Sequence, residues 1–596
     1  MKRPAALVPV TVGAVLCAVL TVSPASRAEP ASGAEPLPGP VDCPRLLSTD
    51  QAVKDLRATG WTVDSGTTPE PFSATVLGRL TDGIAPGVDL IMARLSSPAL
   101  TAAGGVWAGM SGSPVYTSDG RLVGSVSYTL APNTMVAGIT PAQQLGTLLS
   151  ADPDDPRRVA GGRARIRPDA ATVAALQAAG VARAQATQGF SRLPVPVTVS
   201  GATSPGARPV LQRLERHIGQ RVVSGGSAAR GTAAASAISG GSNFAAALSS
   251  GDASVTAVGT TTYTCKGRVV AFGHLLFGSG LTVMAASAAT AVYVQPDALA
   301  GPSKMANVGG AVGTIDRDRP IGVRARLGAA PPSIAISSRL TRVETKTART
   351  GRTTVFYPLV VAETAGLHAL TNVDLVQGSF VAKGTGRITL TVTGRRAGGR
   401  SFTLTRSDVL TAPTDAEALD LEVSDQVGST VMALRDQPFE DVTFQEVRLT
   451  GSLSSRASLW TRPVVEVRQG SQWVRASRAV VVRAGTTLRT RVRFTRLRAP
   501  AVHGTLEVAL PVPKAAARQP VELTVTGGLG DLDEGGPTAE ATSFDALLTQ
   551  LRTAPRGDDV AVKLVNSDNN RVYVARTRQA SLGVEGFTQS FPASVR

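Results

Sequence analysis

The stretch Gly109-Met110-Ser111-Gly112-Ser113-Pro114 joins an apolar segment to a strand-like run over residues 121–128. The glycines on either side of Ser111 let the backbone bend sharply without a Cβ clash. Such a bend turns the Ser111 hydroxyl outward and aims the N–H groups of Gly109 and Ser111 the same way. Two convergent N–H groups beside a hydroxyl are what an oxyanion hole requires. The pattern G-x-S-G-x-P therefore indicates a nucleophilic serine, with an ordinary surface turn as the alternative.

The sequence around this turn alternates in the manner of β-strands. Residues 74–78, 89–95 and 135–139 are short apolar runs of strand length, and a capped helix is expected over residues 143–149. The turn does not match the G-x-S-x-G pattern of α/β-hydrolases, because Ser113 stands where the last glycine should be. The region is therefore predicted to be a β domain.

Residues 1–28 have the composition of a secretory signal peptide. Lys2 and Arg3 precede an apolar run over residues 5–22, and Ser26-Arg27-Ala28 fits a small-residue cleavage site. An uncleaved membrane anchor is the alternative. Cleavage predicts a mature chain that is soluble and secreted.

Size and charge narrow the class of protein. A chain of 596 residues suggests roughly three or four domains. Loss of residues 1–28 removes three basic residues and no acid, so the formal charge falls from +17 to +14. The basic residues are dispersed and aromatic residues make up only 4%, which argues against a nucleic-acid surface. Attraction to an anionic cell envelope is compatible with this charge.

Two cysteines, Cys43 and Cys265, remain after signal cleavage. In an exported chain an isolated pair most simply forms one disulfide, although two free thiols are the alternative. Two cysteines and four scattered histidines do not provide the spacing of a metal site, so neither a metal nor another cofactor is predicted.

The mature chain divides into five regions by composition. These are a leader (29–71), a β region with Ser111 (72–150), an Ala/Gly-rich connection (151–250), a β region with His274 (251–335), and one or more β-sandwich-like modules (336–596).

A nucleophilic serine needs a base, and four histidines are candidates. His217 lies in a charged helix, whereas His368 and His503 fall in the β-rich C-terminal half. His274 follows an apolar strand and directly follows Gly273, the strand-end position of a catalytic base. A partly buried turn histidine is the alternative for His274.

Two separate blocks resemble the SpoIVB-type serine peptidase family. The first is the run 105–115 with the strand 122–126, which is similar to the family's GMSGSP motif and the strand after it. The second runs from Val258-Gly259-Thr260 to Gly273-His274 and is similar to the family's G-T-x-T…GH motif. Residues 312–322 are similar to the segment that follows the family's histidine. Together the blocks cover under a third of the chain.

The resemblance implies a chymotrypsin-like core of two small β-barrels with the site in the cleft between them. Ser111 would be the nucleophile, His274 the general base, and the backbone N–H groups of Gly109 and Ser111 the oxyanion donors. The implied substrate is a protein or peptide, including the chain itself.

The sequence departs from the family in three ways. The serine block precedes the histidine block, which is the inverse of the family's order. Ser97-Pro98 stands where the family's acidic residue is expected, so Asp89, Asp316 and Asp318 are the candidates for an orienting carboxylate. No PDZ-like segment is evident. Without a carboxylate the site would be a slow Ser–His dyad, because a wrong histidine tautomer costs about 10⁴-fold in rate.

Two functions are therefore expected. One is a secreted serine endopeptidase that is able to process itself. The alternative is an inactive, peptidase-like extracellular protein that binds partners or acts as a scaffold, with the C-terminal β modules attached to the cell envelope.

Overall fold

Strands dominate the structure, a computed structural model, so the prediction of a mainly β chain is confirmed. The structure describes residues 39–150, 165–201, 207–225, 237–379, 383–414, 418–476, 480–529, 541–566, 572–578 and 582–596. The predicted signal peptide (1–28) lies outside the described residues, as do parts of the predicted leader and of the connecting region.

Six antiparallel strands close a first barrel in the order β4-β1-β2-β3-β6-β5 and back to β4. Each of the six contributes to one buried apolar cluster, because alternate residues of a strand face the same side. The barrel begins before residue 72, since its first strand lies in the predicted leader. The strands are β1 Arg57–Thr62, β2 Glu70–Ala85, β3 Val88–Ser96, β4 Pro114–Thr117, β5 Leu122–Thr129 and β6 Val136–Pro141.

Short elements surround this barrel. Strands β7 (Arg165–Ile166) and β8 (Phe190–Arg192) extend the sheet beyond β5. The helix predicted over residues 143–149 is present as α2 and packs against β5 and β6. The helices are α1 Pro98–Ala103, α2 Ala142–Ser150, α3 Ala170–Ala178 and α4 Arg183–Gln188.

A second ring of six antiparallel strands follows, in the order β12-β13-β16-β15-β14-β11 and back to β12. All six contribute to a second buried cluster. The predicted pair of β-barrels is therefore present. The elements are β9 Val197–Ser200, α5 Arg208–Ile218, β10 Val222–Ser224, β11 Asn243–Gly251, β12 Ser254–Cys265, β13 Arg268–Ala271, β14 Gly280–Gln295, β15 Ser303–Arg319 and β16 Gly322–Leu327.

The sheet of the second barrel continues through the pairing of β11 with β18, so the predicted boundary at residue 336 falls inside one sheet. Residues 334–454 form strands covered by two packed helices and not the predicted β-sandwich. Nearly every residue of α6 is buried, so its sequence lacks the one-sided pattern that reveals a surface helix. The elements are β17 Ile334–Arg342, β18 Ala348–Val355, α6 Val361–Gln377, β19 Gly384–Arg396, β20 Ser401–Ala412, α7 Leu419–Arg435 and β21 Val442–Ser454.

The C-terminal strands form a β-sandwich, as expected for this end of the chain. One sheet has the order β23-β22-β25-β26 with β30 beside β22, and the other has the order β24-β31-β27-β28-β29. The two sheets share one apolar core. The elements are β22 Leu459–Gln469, β23 Gln472–Arg475, β24 Val480–Val482, β25 Thr487–Arg496, β26 Ala499–Pro511, β27 Pro520–Gly527, α8 Phe544–Thr553, β28 Asp559–Asn566, β29 Val572–Arg578, β30 Gly583–Val584 and β31 Phe587–Val595.

The predicted disulfide between Cys43 and Cys265 is confirmed and ties the N-terminal segment to the end of β12. In the described part of the chain, one helical segment, Pro358–Gln377, is long and apolar enough to cross a membrane. It is mostly buried within the fold, where α6 packs on β17 and β18.

Candidate active site

The turn that carries Ser111 depends on Gly112. Gly112 has a φ of +104°, a region that favours glycine. A Cβ at this position would lie 1.9 Å from the carbonyl oxygen of Thr260, so no side chain fits there. Ser113 closes the turn by donating its hydroxyl proton to the carbonyl of Met110 at 2.7 Å. The turn is therefore held against β12 of the second barrel.

The turn that carries His274 is also bent into the left-handed region. Phe272 and Gly273 follow β13 with φ values of +67° and +68°. A non-glycine residue in this region costs of the order of 1–3 kcal/mol, and such strain is common at functional sites. The hydroxyl of Thr140 donates to the carbonyl of Gly273 at 2.7 Å. Together these features direct His274 toward the first barrel.

The structure brings Ser111 and His274 together across the two barrels. The distance from Ser111 Oγ to His274 Nε2 is 2.5 Å, although 163 positions separate the two residues in the chain. The other ring nitrogen, Nδ1, lies 2.6 Å from the carbonyl oxygen of Leu275. A carbonyl only accepts, so Nδ1 carries the proton and Nε2 presents its lone pair to the serine hydroxyl. This is the tautomer that a general base requires.

Two features of this conformation disfavour proton transfer from Ser111 to His274. The Ser111 hydroxyl also lies 2.7 Å from the carbonyl oxygen of Phe272, so two acceptors compete for its single proton. Burial lowers the pKa of His274 to about 4, which keeps the imidazole neutral at pH 7. Neutral imidazole accepts a proton, but the buried imidazolium that results is poorly stabilised.

None of the three candidate acids hydrogen-bonds to the His274 ring. Asp89 pairs with Arg79, and Asp316 pairs with Arg324 and Arg326. Asp318 instead accepts four backbone N–H groups from residues 276–279, at 2.7–3.3 Å. Burial raises the pKa of Asp318, and these four donors oppose that rise. Asp318 thus fixes the loop after His274, and the Leu275 carbonyl orients the ring.

The two predicted oxyanion donors, the N–H groups of Gly109 and Ser111, differ in their hydrogen bonding. The N–H of Gly109 already donates to the carbonyl of Pro194 at 3.1 Å. The N–H of Ser111 has no acceptor in the described part of the chain. Gly109 therefore has to exchange its partner before it is able to serve a substrate oxygen.

A strip of the chain lies along the site, and we name residues 190–196 the cover segment. Its strand β8 pairs antiparallel with β5, with Arg192 opposite Tyr128. The N–H of Leu193 donates to the carbonyl of Ser127 at 2.9 Å, and the next residue, Pro194, occupies the Gly109 donor. Leu193 itself is buried in the core of the first barrel. The cover segment is thus bound as an extended peptide beside Ser111.

The site is closed. Ser111 is fully buried and His274 is 3% exposed. After burial and the Leu275 carbonyl, the charge of Arg192 and the backbone of Leu193 also affect the pKa of His274, which places both beside the ring. The sequence alone did not reveal this closure, because the cover segment lies inside the region interpreted as a connection.

Lys304 is a second residue that the sequence analysis missed. It is 2% exposed, and its backbone N–H donates to the carbonyl of Ala108, next to Gly109. Its Nζ donates to Asn243 Oδ1 at 2.8 Å, and burial lowers the pKa of Lys304 to about 7. The sequence pattern that could have revealed Lys304 is its place on the buried face of β15, which also carries Ala306 and Val308.

The remaining histidines lie away from Ser111. His217 binds Glu363, buried His368 lies on α6 beside Thr353, and His503 is exposed on β26. Within the described residues, no group of three or more His, Cys, Asp or Glu side chains is placed to hold a metal ion.

Comparison with family models, with curated proteins and with solved structures found no match to this chain.

Proposed function

We propose that this chain is an exported serine endopeptidase of the SpoIVB type, with Ser111 as nucleophile and His274 as general base. The contact of 2.5 Å between Ser111 Oγ and His274 Nε2 carries the proposal. Its support is the tautomer set by the Leu275 carbonyl and the position of both side chains between two β-barrels. A signal peptide at residues 1–28 accounts for export, and the C-terminal sandwich is the part available to attach to the cell envelope.

The proposed reaction is acyl transfer. His274 Nε2 takes the hydroxyl proton as Ser111 Oγ attacks the carbonyl carbon of the substrate. The N–H of Ser111, joined by that of Gly109 once Pro194 has left, stabilises the oxyanion. The imidazolium then protonates the amine that leaves, and water hydrolyses the acyl-enzyme by the same steps. A carbonyl orients His274 without neutralising it, so we expect a slow enzyme.

The proposed substrate is an extended peptide that binds where the cover segment lies, or the cover segment itself. The cover segment already has the required main-chain pairing with Ser127 and Tyr128. A peptide bond of this chain near residues 190–196 is thus the nearest substrate, which supports self-processing as part of the function.

A second candidate function is an inactive, peptidase-like binding or scaffold protein. The observation that favours it is the closed site, in which Ser111 is fully buried and the Gly109 donor is occupied. In that case the cover segment would be a permanent part of the core.

A fluorophosphonate probe distinguishes the two functions. We expect slow labelling of the native chain, no labelling of Ser111→Ala, and labelling reduced at least about 100-fold in His274→Gln, since loss of a general base typically costs 10²–10⁴-fold. His503→Gln is the matched control, because His503 is exposed and remote, and it should label like the native chain.

The peptidase proposal is wrong if Ser111→Ala labels as strongly as the native chain. It is also wrong if neither the native chain nor a variant with the cover segment displaced is labelled. The second outcome would leave the binding protein as the function.

A further inference from the structure

A cavity of about 1180 Å³ lies behind the loop that follows His274. Phe277 and Ser279 of that loop form one side, and Arg317 and Arg326 of the second barrel form another. Tyr357, just before α6, completes the wall. This volume is slightly larger than the roughly 300–1,000 Å³ of typical small-ligand pockets, so a small organic molecule fits inside it.

Arg317 lines this cavity, and part of its guanidinium has no hydrogen-bond partner. The side chain is 3% exposed, and its Nη1 donates to the backbone carbonyl of Asp316 at 2.8 Å. Its Nε and Nη2 have no hydrogen-bond partner in the described part of the chain. An unsatisfied buried donor destabilises the folded protein, and more strongly when the donor is charged.

The two unsatisfied nitrogens are the pair suited to one anion. Nε and Nη2 lie on the same edge of the guanidinium, and their two N–H groups point the same way. This edge binds a carboxylate or phosphate through two parallel hydrogen bonds. Arg324 binds Asp316 through these same two nitrogens in this protein, at 2.9 Å each.

Among the described residues that line this cavity, Asp316 is the one carboxylate, and it is not free to satisfy Arg317. Asp316 is already shared by Arg324 and Arg326. Three arginines thus surround a single carboxylate, which leaves local positive charge. Burial and the charge of Arg324 lower the pKa of Arg317, an effect that a bound anion would relieve.

The opposite wall is apolar. The rings of Phe277 and Tyr357 stack with centroids 5.7 Å apart and planes at 12°. Leu281 and Leu359 line the cavity while 59% and 50% exposed, so they leave apolar surface at its mouth. Exposed apolar surface beside a few convergent polar groups is typical of a ligand site.

We propose that this cavity binds an organic anion, a carboxylate or phosphate ester with an aromatic or aliphatic body. The Nε and Nη2 edge of Arg317 holds the anionic group, and the Phe277–Tyr357 wall holds the apolar body. The site is separate from Ser111 and does not depend on chemistry there. Both a free small molecule and a lipid headgroup have this chemistry.

Calorimetric titration of the full chain tests the proposal with three probes: phenylbutyrate, its neutral amide, and acetate. We expect phenylbutyrate to bind and the amide and acetate to bind at least about tenfold more weakly, a difference of about 1.4 kcal/mol. Co-sedimentation with phosphatidylglycerol vesicles, against phosphatidylcholine vesicles, then separates a lipid headgroup from a free ligand.

Arg317→Met removes the guanidinium, with its Nε and Nη2 donors, and keeps a side chain of similar volume. We expect at least about tenfold weaker phenylbutyrate binding and a Tm no lower than that of the native chain, because the orphaned donors are gone. Arg317→Lys keeps the positive charge but lacks the paired Nε and Nη2 donors, so it should also weaken binding. This second variant tests the proposal if Arg317→Met fails to fold. Arg339→Met, an exposed arginine outside the cavity, is the matched control.

The proposal is overturned if phenylbutyrate does not bind at millimolar concentration. It is equally overturned if the amide binds as well as the acid, or if both Arg317 variants bind like the native chain. Any of these results means that the cavity does not bind organic anions through Arg317.

Discussion

One main-chain contact gives His274 the tautomer that a general base requires. The Leu275 carbonyl fixes the proton on Nδ1, a task that a carboxylate performs in Ser-His-Asp sites. A neutral carbonyl cannot balance the imidazolium charge. The Leu275 carbonyl therefore orients the His274 ring but does not stabilise the positive charge that the ring gains on protonation.

Burial of His274 predicts a pH-dependent stability. Its pKa is about 4 in the folded state and 6.5 when exposed, so the unfolded chain binds more protons between these values. The free energy of unfolding should fall as pH drops from 6.5 to 4, by the order of 3 kcal/mol. Buried His368, whose pKa burial also lowers to about 4, adds to the fall.

Denaturant unfolding at several pH values measures this effect. His274→Gln should lose less stability than the native chain as the pH falls from 6.5 to 4. The control His503→Gln should follow the native chain. Equal losses in all three proteins would show that His274 is not buried as a neutral ring.

Lys304 predicts an effect at higher pH. Burial lowers its pKa from 10.5 to about 7, so the unfolded chain binds more protons between those values and stability rises with pH across this window. Lys304→Met should remove that rise and unfold at a higher temperature at pH 7, because no ammonium has to lose its proton or its solvation. Thermal unfolding at pH 7 and pH 10 checks both results, and a lower Tm for Lys304→Met at pH 7 would contradict them.

At the scale of elements, we expect the cover segment to control access to Ser111. It is joined to the barrel by the β8–β5 pairing and by the burial of Leu193. Leu193→Glu places a carboxylate in that apolar position, which is costly to bury unpaired, so the segment should leave the groove. We expect faster fluorophosphonate labelling than in the native chain.

Leu193→Glu has two control variants: one keeps an apolar side chain at this position, and the other lacks the Ser111 hydroxyl. Leu193→Met should label like the native chain, because it keeps an apolar side chain of similar size. The double variant Leu193→Glu with Ser111→Ala should not label. A folded Leu193→Glu protein, judged by circular dichroism, that labels no faster than the native chain would show that the cover segment does not limit access.

Some of these elements and contacts could be predicted from the sequence and others could not. The Gly-Ser turn and the strand-end His274 are local patterns, so the sequence indicates both. The cover segment, the Asp318 loop clamp and the Lys304–Asn243 pair depend on contacts between distant residues, and no local spacing encodes them. Helix α6 was missed because it is buried on nearly all faces and so has no polar stripe.

At the scale of the molecule, inversion of the serine and histidine blocks does not prevent their meeting. Each barrel is built mostly from its own stretch of chain, so the order of the two along the sequence matters little to the cleft between them. Mainly β character and the disulfide followed from residue patterns. The continuation of the second sheet through β17 and β18 did not, because sheet pairing across a predicted boundary leaves no local mark.

The disulfide predicts a global loss of stability on reduction. Cys43 and Cys265 are 222 positions apart, and closing so long a loop restricts the unfolded chain strongly. Cys265→Ser should lower the free energy of unfolding by roughly 2–5 kcal/mol. Thermal unfolding with and without reductant measures it: reductant should destabilise the native chain and leave Cys265→Ser unchanged. An unchanged Tm in the native chain would contradict the prediction.

The same bridge determines how the proposed self-cleavage would be detected on a gel. Residues 190–196 lie inside the loop of chain that Cys43 and Cys265 close. A single hydrolysis there opens a covalent ring without releasing a fragment. The product is heavier by one water molecule and migrates as an intact polypeptide until a thiol reagent separates its two pieces.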